Sequence, residues 1–152
     1  MSQVLIRRAE KADLAAIVAM LADDALGRAR ENASVPLAQA YQDAFAAIDG
    51  NPNHFLAVMT DGAEVIGTLQ ISFIPGLSLQ GAWRGQIEAV RVAASRRGEG
   101  LGHSLLEWAI ERCRERGCRV VQLTTNKSRL DAHRFYERVG FKASHIGYKL
   151  DL

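Results

Sequence analysis

Three glycines alternate along Gly98-Glu99-Gly100-Leu101-Gly102, between the apolar run Val90-Arg91-Val92 and the helical run Leu105 to Ile110. A strand, a glycine-rich turn and a helix in that order offer several backbone N–H groups and a helix N-terminus to one anion. Glycine has no Cβ, so the main chain there can approach a phosphate closely or take positive φ. Arg96 and Arg97 add two permanent charges beside the turn. The stretch reads as a diphosphate cradle. Two other phosphate loops fit less well. A dinucleotide loop needs G-x-G-x-x-G and an acid about 20 residues on. Here the third glycine comes one position early, and the next strand carries Gln122, Thr124 and Thr125 instead. A nucleotide P-loop ends in Gly-Lys-Ser/Thr, whereas this one ends Gly102-His103-Ser104. The pattern that remains is R-G-x-G-x-G, from Arg97 to Gly102; the plain alternative is an ordinary glycine-rich connection.

The elements around this turn follow from periodicity. Val4 to Arg8 reads as a first strand, and Asp13 caps a helix that carries Leu14, Ile17, Val18, Leu21 and Ala25 to near Gly27. A polar link, Arg28 to Asn32, leads to a second helix from Ser34 and Pro36, which Gly50-Asn51-Pro52 stops. His54 to Thr60 and Val65 to Ile74 form a hairpin about Asp61-Gly62. A fourth strand, Gln86 to Ala93, enters the glycine turn. The helix after it buries Leu101, Leu105, Leu106, Ala109, Ile110 and Cys113. Val120 to Asn126 is a fifth strand, Ser128 to Arg138 a short helix, and Phe141 to Leu150 the last strand or strands. This order predicts one mixed α/β domain over residues 1–152, in three layers with helices on both faces of the sheet.

The fourth strand carries a frameshift. In Gln86-Ile87-Glu88-Ala89-Val90-Arg91-Val92 the odd positions begin apolar and turn polar at Arg91, while the even positions do the reverse. Strand periodicity is two, so the crossing between Ala89 and Val90 means burial on both faces or one extra residue. The second option, a β-bulge, frees N–H groups between Glu88 and Val92 to face a cleft beside the fifth strand.

A second motif lies downstream: Asn126, then Asp131-Ala132-His133-Arg134-Phe135-Tyr136-Glu137, then Gly140-Phe141. Together with Arg97 to Gly102, it resembles the pattern of the GNAT superfamily of acyl-CoA-dependent N-acetyltransferases. The tail from Thr124 to His145 is similar to that of aminoalkylphosphonate acetyltransferases and of other bacterial relatives. The resemblance implies a mostly antiparallel mixed sheet whose fourth and fifth strands splay apart, with acetyl-CoA as co-substrate. It places the pantetheine arm along Val90 and Val92 and the diphosphate on Arg97, Gly98, Glu99, Gly100, Leu101 and Gly102. Tyr136 becomes the general acid to the CoA thiolate, and Asn126 a holder of pantetheine or of a water. Glu88, just before the bulge, is the candidate general base, with an ion pair to Arg84 or Arg91 as its plain alternative.

The acceptor is less legible. Asp23, Asp24, Arg28, Arg30 and Glu31 are candidates for recognising a charged amine, although a solvated face explains each of them too. The apolar loop Ile74 to Trp83 suits either acceptor binding or contact between two copies of the chain, and a small-molecule amine is expected before a protein. A net charge of +2 gives no ground for a nucleic-acid partner, and the arginines near Arg112 to Arg119 are interrupted by glutamates. No apolar run reaches the roughly 18–20 residues of a membrane span. Met1-Ser2-Gln3-Val4 does not read as an export leader, so a cytoplasmic protein is expected. Cys113 and Cys118 are spaced for neither a zinc knuckle nor a redox pair and read as buried thiols; no metal is expected. The competing function is a non-catalytic acyl-CoA sensor, which would keep the glycine turn but need neither Tyr136 nor a base.

Overall fold

The structure, a computed structural model, describes residues 3–152; Met1 and Ser2 of the opening segment lie outside the described residues. Five strands lie in chain order: β1 (Val4–Arg8), β2 (His54–Asp61), β3 (Glu64–Ile74), β4 (Arg84–Val92) and β5 (Val120–Leu123). Each of the first four is antiparallel to its neighbour, and β5 runs parallel to β4. A parallel neighbour requires a crossover, which α5 (Leu101–Glu115) provides.

Alternation along β2 feeds two cores. Phe55, Ala57 and Met59 face a cluster with Leu105, Leu106 and Ala109 of α5, and Phe135, Tyr136 and Val139 of α6 (Leu130–Val139) pack against it. Leu56 and Val58 face a second cluster with Leu14 and Ile17 of α1 (Leu14–Leu21) and Phe45 of α3 (Gln39–Asp49). Both faces of the sheet are therefore covered, which gives the three layers expected.

Several boundaries differ from the sequence reading. The first helix breaks after Leu21 and restarts as α2 (Ala25–Arg30), because extended Asp24 (φ −153°) accepts the Gly27 N–H at 2.6 Å. Gly27 is required at this corner: a Cβ there would lie 1.9 Å from the Leu21 carbonyl oxygen. Part of the supposed polar link is thus helical, and α3 begins at Gln39 rather than at Ser34 or Pro36. The loop before β4 contains one short turn, α4 (Ser78–Gly81), with Leu79 and Gln80 left-handed at φ 55° and 61°. β5 ends at Leu123 and α6 starts at Leu130, both within a few residues of expectation. The final strand is absent: Phe141 to Leu152 adopt no regular structure among the described residues, and everything after Phe141 is exposed. Strand periodicity needs a paired neighbour to become a strand, and among the described residues this segment pairs with none.

The bulge is present where the frameshift falls. Gln70 pairs with Glu88 and Thr68 with Arg91, so Leu69 alone faces Ala89 and Val90. Ala89 turns the chain with φ +55°. The slip keeps Val90 on the same core as Ile87, while Glu88 and Arg91 share the opposite face, toward α1 and α2. Pairing to β5 stops at Ile87–Leu123, so β4 from Glu88 to Val92 splays away from its parallel neighbour.

Near the other end of β4, Gly85 lets α5 approach; a Cβ on it would lie 2.3 Å from the Cys113 sulfur. Burial pushes the Cys113 thiol up to about 12 and raises Cys118 as well. Both cysteines are free, and thiols held protonated in this way are inert.

Candidate active site

The glycine turn takes the backbone the sequence implies. Gly98 and Gly100 are left-handed, with φ 86° and 77°, and Gly100 caps the start of α5. Among the described residues, no N–H from Gly98 to His103 donates to a backbone carbonyl; the ladder of α5 resumes with Ser104 N–H to Gly100 O at 3.2 Å. Six consecutive N–H groups are thus left without a backbone acceptor at the positive end of a helix. All of these residues but Glu99 line an open cavity of about 530 Å³, together with Val92, Arg96, Arg97, Phe135 and Arg138. Gly102 keeps the wall thin, since a Cβ there would meet the Phe135 ring at 3.4 Å and Val92 at 3.8 Å. This geometry fits a diphosphate.

The two arginines of the turn play different parts. Arg96 is held by Asp61 at 3.1 Å and by Glu99 at 2.9 Å, which raises its pKa and neutralises its charge locally. The Glu99 carboxylate is thus engaged by Arg96. Arg97 is only loosely engaged, 3.6 Å from Asp23, and remains available to an anion. Sequence reasoning missed Arg138 and Phe135 as cavity residues. Phe135 stood inside the quoted motif without a role, and nothing local marked Arg138.

Tyr136 is half-buried between Phe135 and Phe141, with ring centroids 5.4 and 6.0 Å away. Burial raises its phenol above the ordinary value of 10, while the fields of Arg91 and Arg129 oppose that rise. Glu88 is exposed at the bulge, and among the described residues it makes no ion pair with Arg84, Arg91 or any other cation. Asn126 is partly committed: its Oδ1 accepts from the Ser128 N–H at 2.9 Å and the Ser128 hydroxyl at 2.7 Å, leaving the NH₂ end unspent.

A charged cluster that the sequence did not predict as a unit lies on the Glu88 face. Asp24 Oδ2 is 2.7 Å from Arg129 Nη1 and 3.7 Å from Arg91 Nη2. The Arg129 bond, then the Gly27 N–H and the neighbouring arginines, hold the Asp24 carboxyl at about 2. Arg91 is itself largely buried. One Nη donates to the Val90 carbonyl at 3.0 Å, and its Nε has no acceptor. Desolvation and then the field of Arg129 lower its pKa, and the Asp24 carboxylate opposes that fall. Two arginines face one carboxylate, and a buried donor is unsatisfied; buried donors in folded proteins normally have partners. Asp24 and Arg91 were visible as charges, and the bulge parity already put Arg91 beside Glu88. Arg129 comes from a loop far along the chain and carried no local signal.

Comparison with known proteins agrees with this architecture. The model of the Acetyltransferase (GNAT) family matches residues 17–141. The aminoalkylphosphonate N-acetyltransferase of Salmonella typhimurium is 39% identical over 111 residues, 72% of this chain and 71% of that protein. A solved structure described as a transcriptional regulator from Bacillus halodurans C-125 is 51% identical with a TM-score of 0.96, covering 99% of this chain and 100% of that one. A predicted acetyltransferase of Clostridium acetobutylicum, solved with acetyl-CoA, is 18% identical and shares the fold at a TM-score of 0.77, covering 98% and 96%. Given the free N–H turn, the bulged and splayed β4 and the family model spanning both, this chain belongs to the GNAT acetyltransferase family.

Proposed function

We propose that this chain, as one domain over residues 1–152, acetylates the primary amine of a small anionic molecule in the cytoplasm, with acetyl-CoA as donor. The observation that carries the reading is the end of β4–β5 pairing at Ile87–Leu123, beyond which β4 bulges and leads into the unpaired N–H groups of the glycine turn. Arg97, Arg138 and the N–H groups of Gly98, Glu99, Gly100, Leu101 and Gly102 hold the diphosphate. The main chain of Val90 and Val92 lines the path of the thioester arm. An N–H at the bulge, that of Val90, polarises the reacting carbonyl; one such donor is typically worth about 3–4 kcal/mol. The NH₂ of Asn126 orients the arm or a water.

An amine with a lysine-like pKa is neutral in only about one molecule in 2,500 at pH 7, a deficit of roughly 4.6 kcal/mol. Glu88, free of ion pairs and next to the bulge, takes that proton through a water. Tyr136 is protonated at neutral pH, and its burial keeps it so; it gives its proton to the departing thiolate. Arg91 and Arg129 form the acceptor's anion site. Their donors outnumber what Asp24 can accept, and a phosphonate, phosphate or carboxylate would satisfy the Arg91 Nε. The name of the Salmonella relative supports a phosphonate among these.

Thiol release from acetyl-CoA, measured with an aminoalkylphosphonate and a neutral amine of equal length, tests the reading. The phosphonate is expected to react with the lower KM. Arg91→Gln should raise that KM by about 10–100-fold and leave the neutral amine unchanged. Equal KM values for the two amines would remove the anion site. The Bacillus halodurans relative, described as a transcriptional regulator, supports the second reading, an acyl-CoA sensor. Tight CoA binding without thiol release for any amine would favour that sensor.

A further inference from the structure

A line of polar side chains crosses four strands on the face of the sheet turned away from α5. His54, Ser72, Gln86 and Gln122 are register partners in turn across β2, β3, β4 and β5, and Gln70 pairs with Glu88 in the adjacent row. Alternation puts them all on one face, because their neighbours Phe55, Ile71, Ile87 and Val121 enter the α5 core. Helices α1 and α3 bury part of this face through Leu56 and Val58 of β2. Toward β4 and β5 the cover ends: Gln70 and Gln86 are half-buried, and Glu88 and Gln122 are exposed. A sheet face meant for packing carries apolar residues; three glutamines stand here instead.

The side chains leave specific atoms unspent. His54 Nδ1 lies 2.9 Å from Ser72 Oγ, and that pair closes one end of the line. Gln122 donates its amide to Gln86 Oε1 at 2.6 Å, which anchors Gln86 and leaves its NH₂ and the Gln122 carbonyl without side-chain partners among the described residues. The Gln70 amide likewise has none. The floor therefore presents donors and acceptors but no charge, the complement of a hydroxyl, which both donates and accepts. An alkyl chain laid there would strip the amides of water and replace none of those bonds. Spacing adds direction. Gln86, Glu88 and, past the extra residue, Arg91 follow one another on this face in steps of about 7 Å. An amine beside Glu88 thus has an anion site on one side and the glutamine floor on the other.

We infer that Gln70, Gln86 and Gln122 form a hydroxyl subsite, so that the acceptor carries its amine between an anionic group and a hydroxyl. This rests on Glu88 as the base and Arg91 as the anion site. The probes are the phosphonate analogues of homoserine and of norvaline, which differ only by a hydroxyl in place of a methyl. Thiol release from acetyl-CoA should show kcat/KM about 10-fold higher for the hydroxylated one, the worth of one good neutral hydrogen bond. Gln86→Met should bring that ratio close to one. Gln122→Ala changes an exposed side chain outside the core and should lower the ratio in part, because Gln86 loses its anchor. A wild-type ratio at or below one, or a ratio unchanged in both variants, would overturn the hydroxyl subsite and leave the anion site standing on its preference over a neutral amine. Absence of turnover with both phosphonates would remove the two together.

Discussion

Asp24→Asn separates the electrostatic hub from the rest of the fold. The carboxyl lies at about 2, below an ordinary 3.8, because it accepts from Arg129 and from the Gly27 N–H. At about 1.4 kcal/mol per tenfold change in proton affinity, this pairing contributes on the order of 2 kcal/mol at neutral pH. The side chain is 27% exposed, so solvent screening removes only part of that. Its folded pKa is depressed, so the contribution is complete above about pH 4 and fades as pH falls toward about 2. Asparagine can still cap α2 but cannot hold a charge. Urea unfolding at pH 7 should therefore show the variant about 1–2 kcal/mol less stable, with a midpoint some 2–8 °C lower on heating. The gap should shrink by about half near pH 3. Combined with Arg129→Met, the double mutant should lose less than the sum of the single ones, since Arg129 has little to pair with once the carboxylate is gone. Additive losses, or a gap that does not change between pH 7 and pH 3, would refute the hub.

Tyr136→Phe should lower kcat at least about 10-fold while CoA affinity by calorimetry stays near wild type, because only the proton donor is lost. Burial raises the phenol above 10, so any alkaline fall of kcat that belongs to it lies beyond pH 10 and should vanish in the variant. Gly85→Ala drives a methyl to 2.3 Å from the Cys113 sulfur; a loss of about 1–3 kcal/mol is expected, as for overpacked cores. Adding Cys113→Ala removes the clash and should restore part of it, measured by the same urea unfolding.

Local patterns carried most of the fold. Strand periodicity and turn signals gave all five strands to within a few residues, and period 3.6 with its caps gave α5, because both depend on near neighbours along the chain. The glycine turn was legible since left-handed backbone at Gly98 and Gly100 is a property of single residues. Even the bulge was visible, because a change of face in β4 leaves a parity mark at Ala89. What the sequence alone determined, then, was a phosphate-gripping turn within a mixed α/β domain. Tertiary structure decided the rest. The Asp24–Arg91–Arg129 cluster joins residues about a hundred positions apart, and only the tertiary fold, which sets α1 against β4, brings them together. Arg96 looked like a phosphate ligand until Asp61, on another strand, neutralised it. The terminal segment reads as a strand, but a strand exists only where a neighbour accepts its hydrogen bonds, and this fold supplies none from within the same chain.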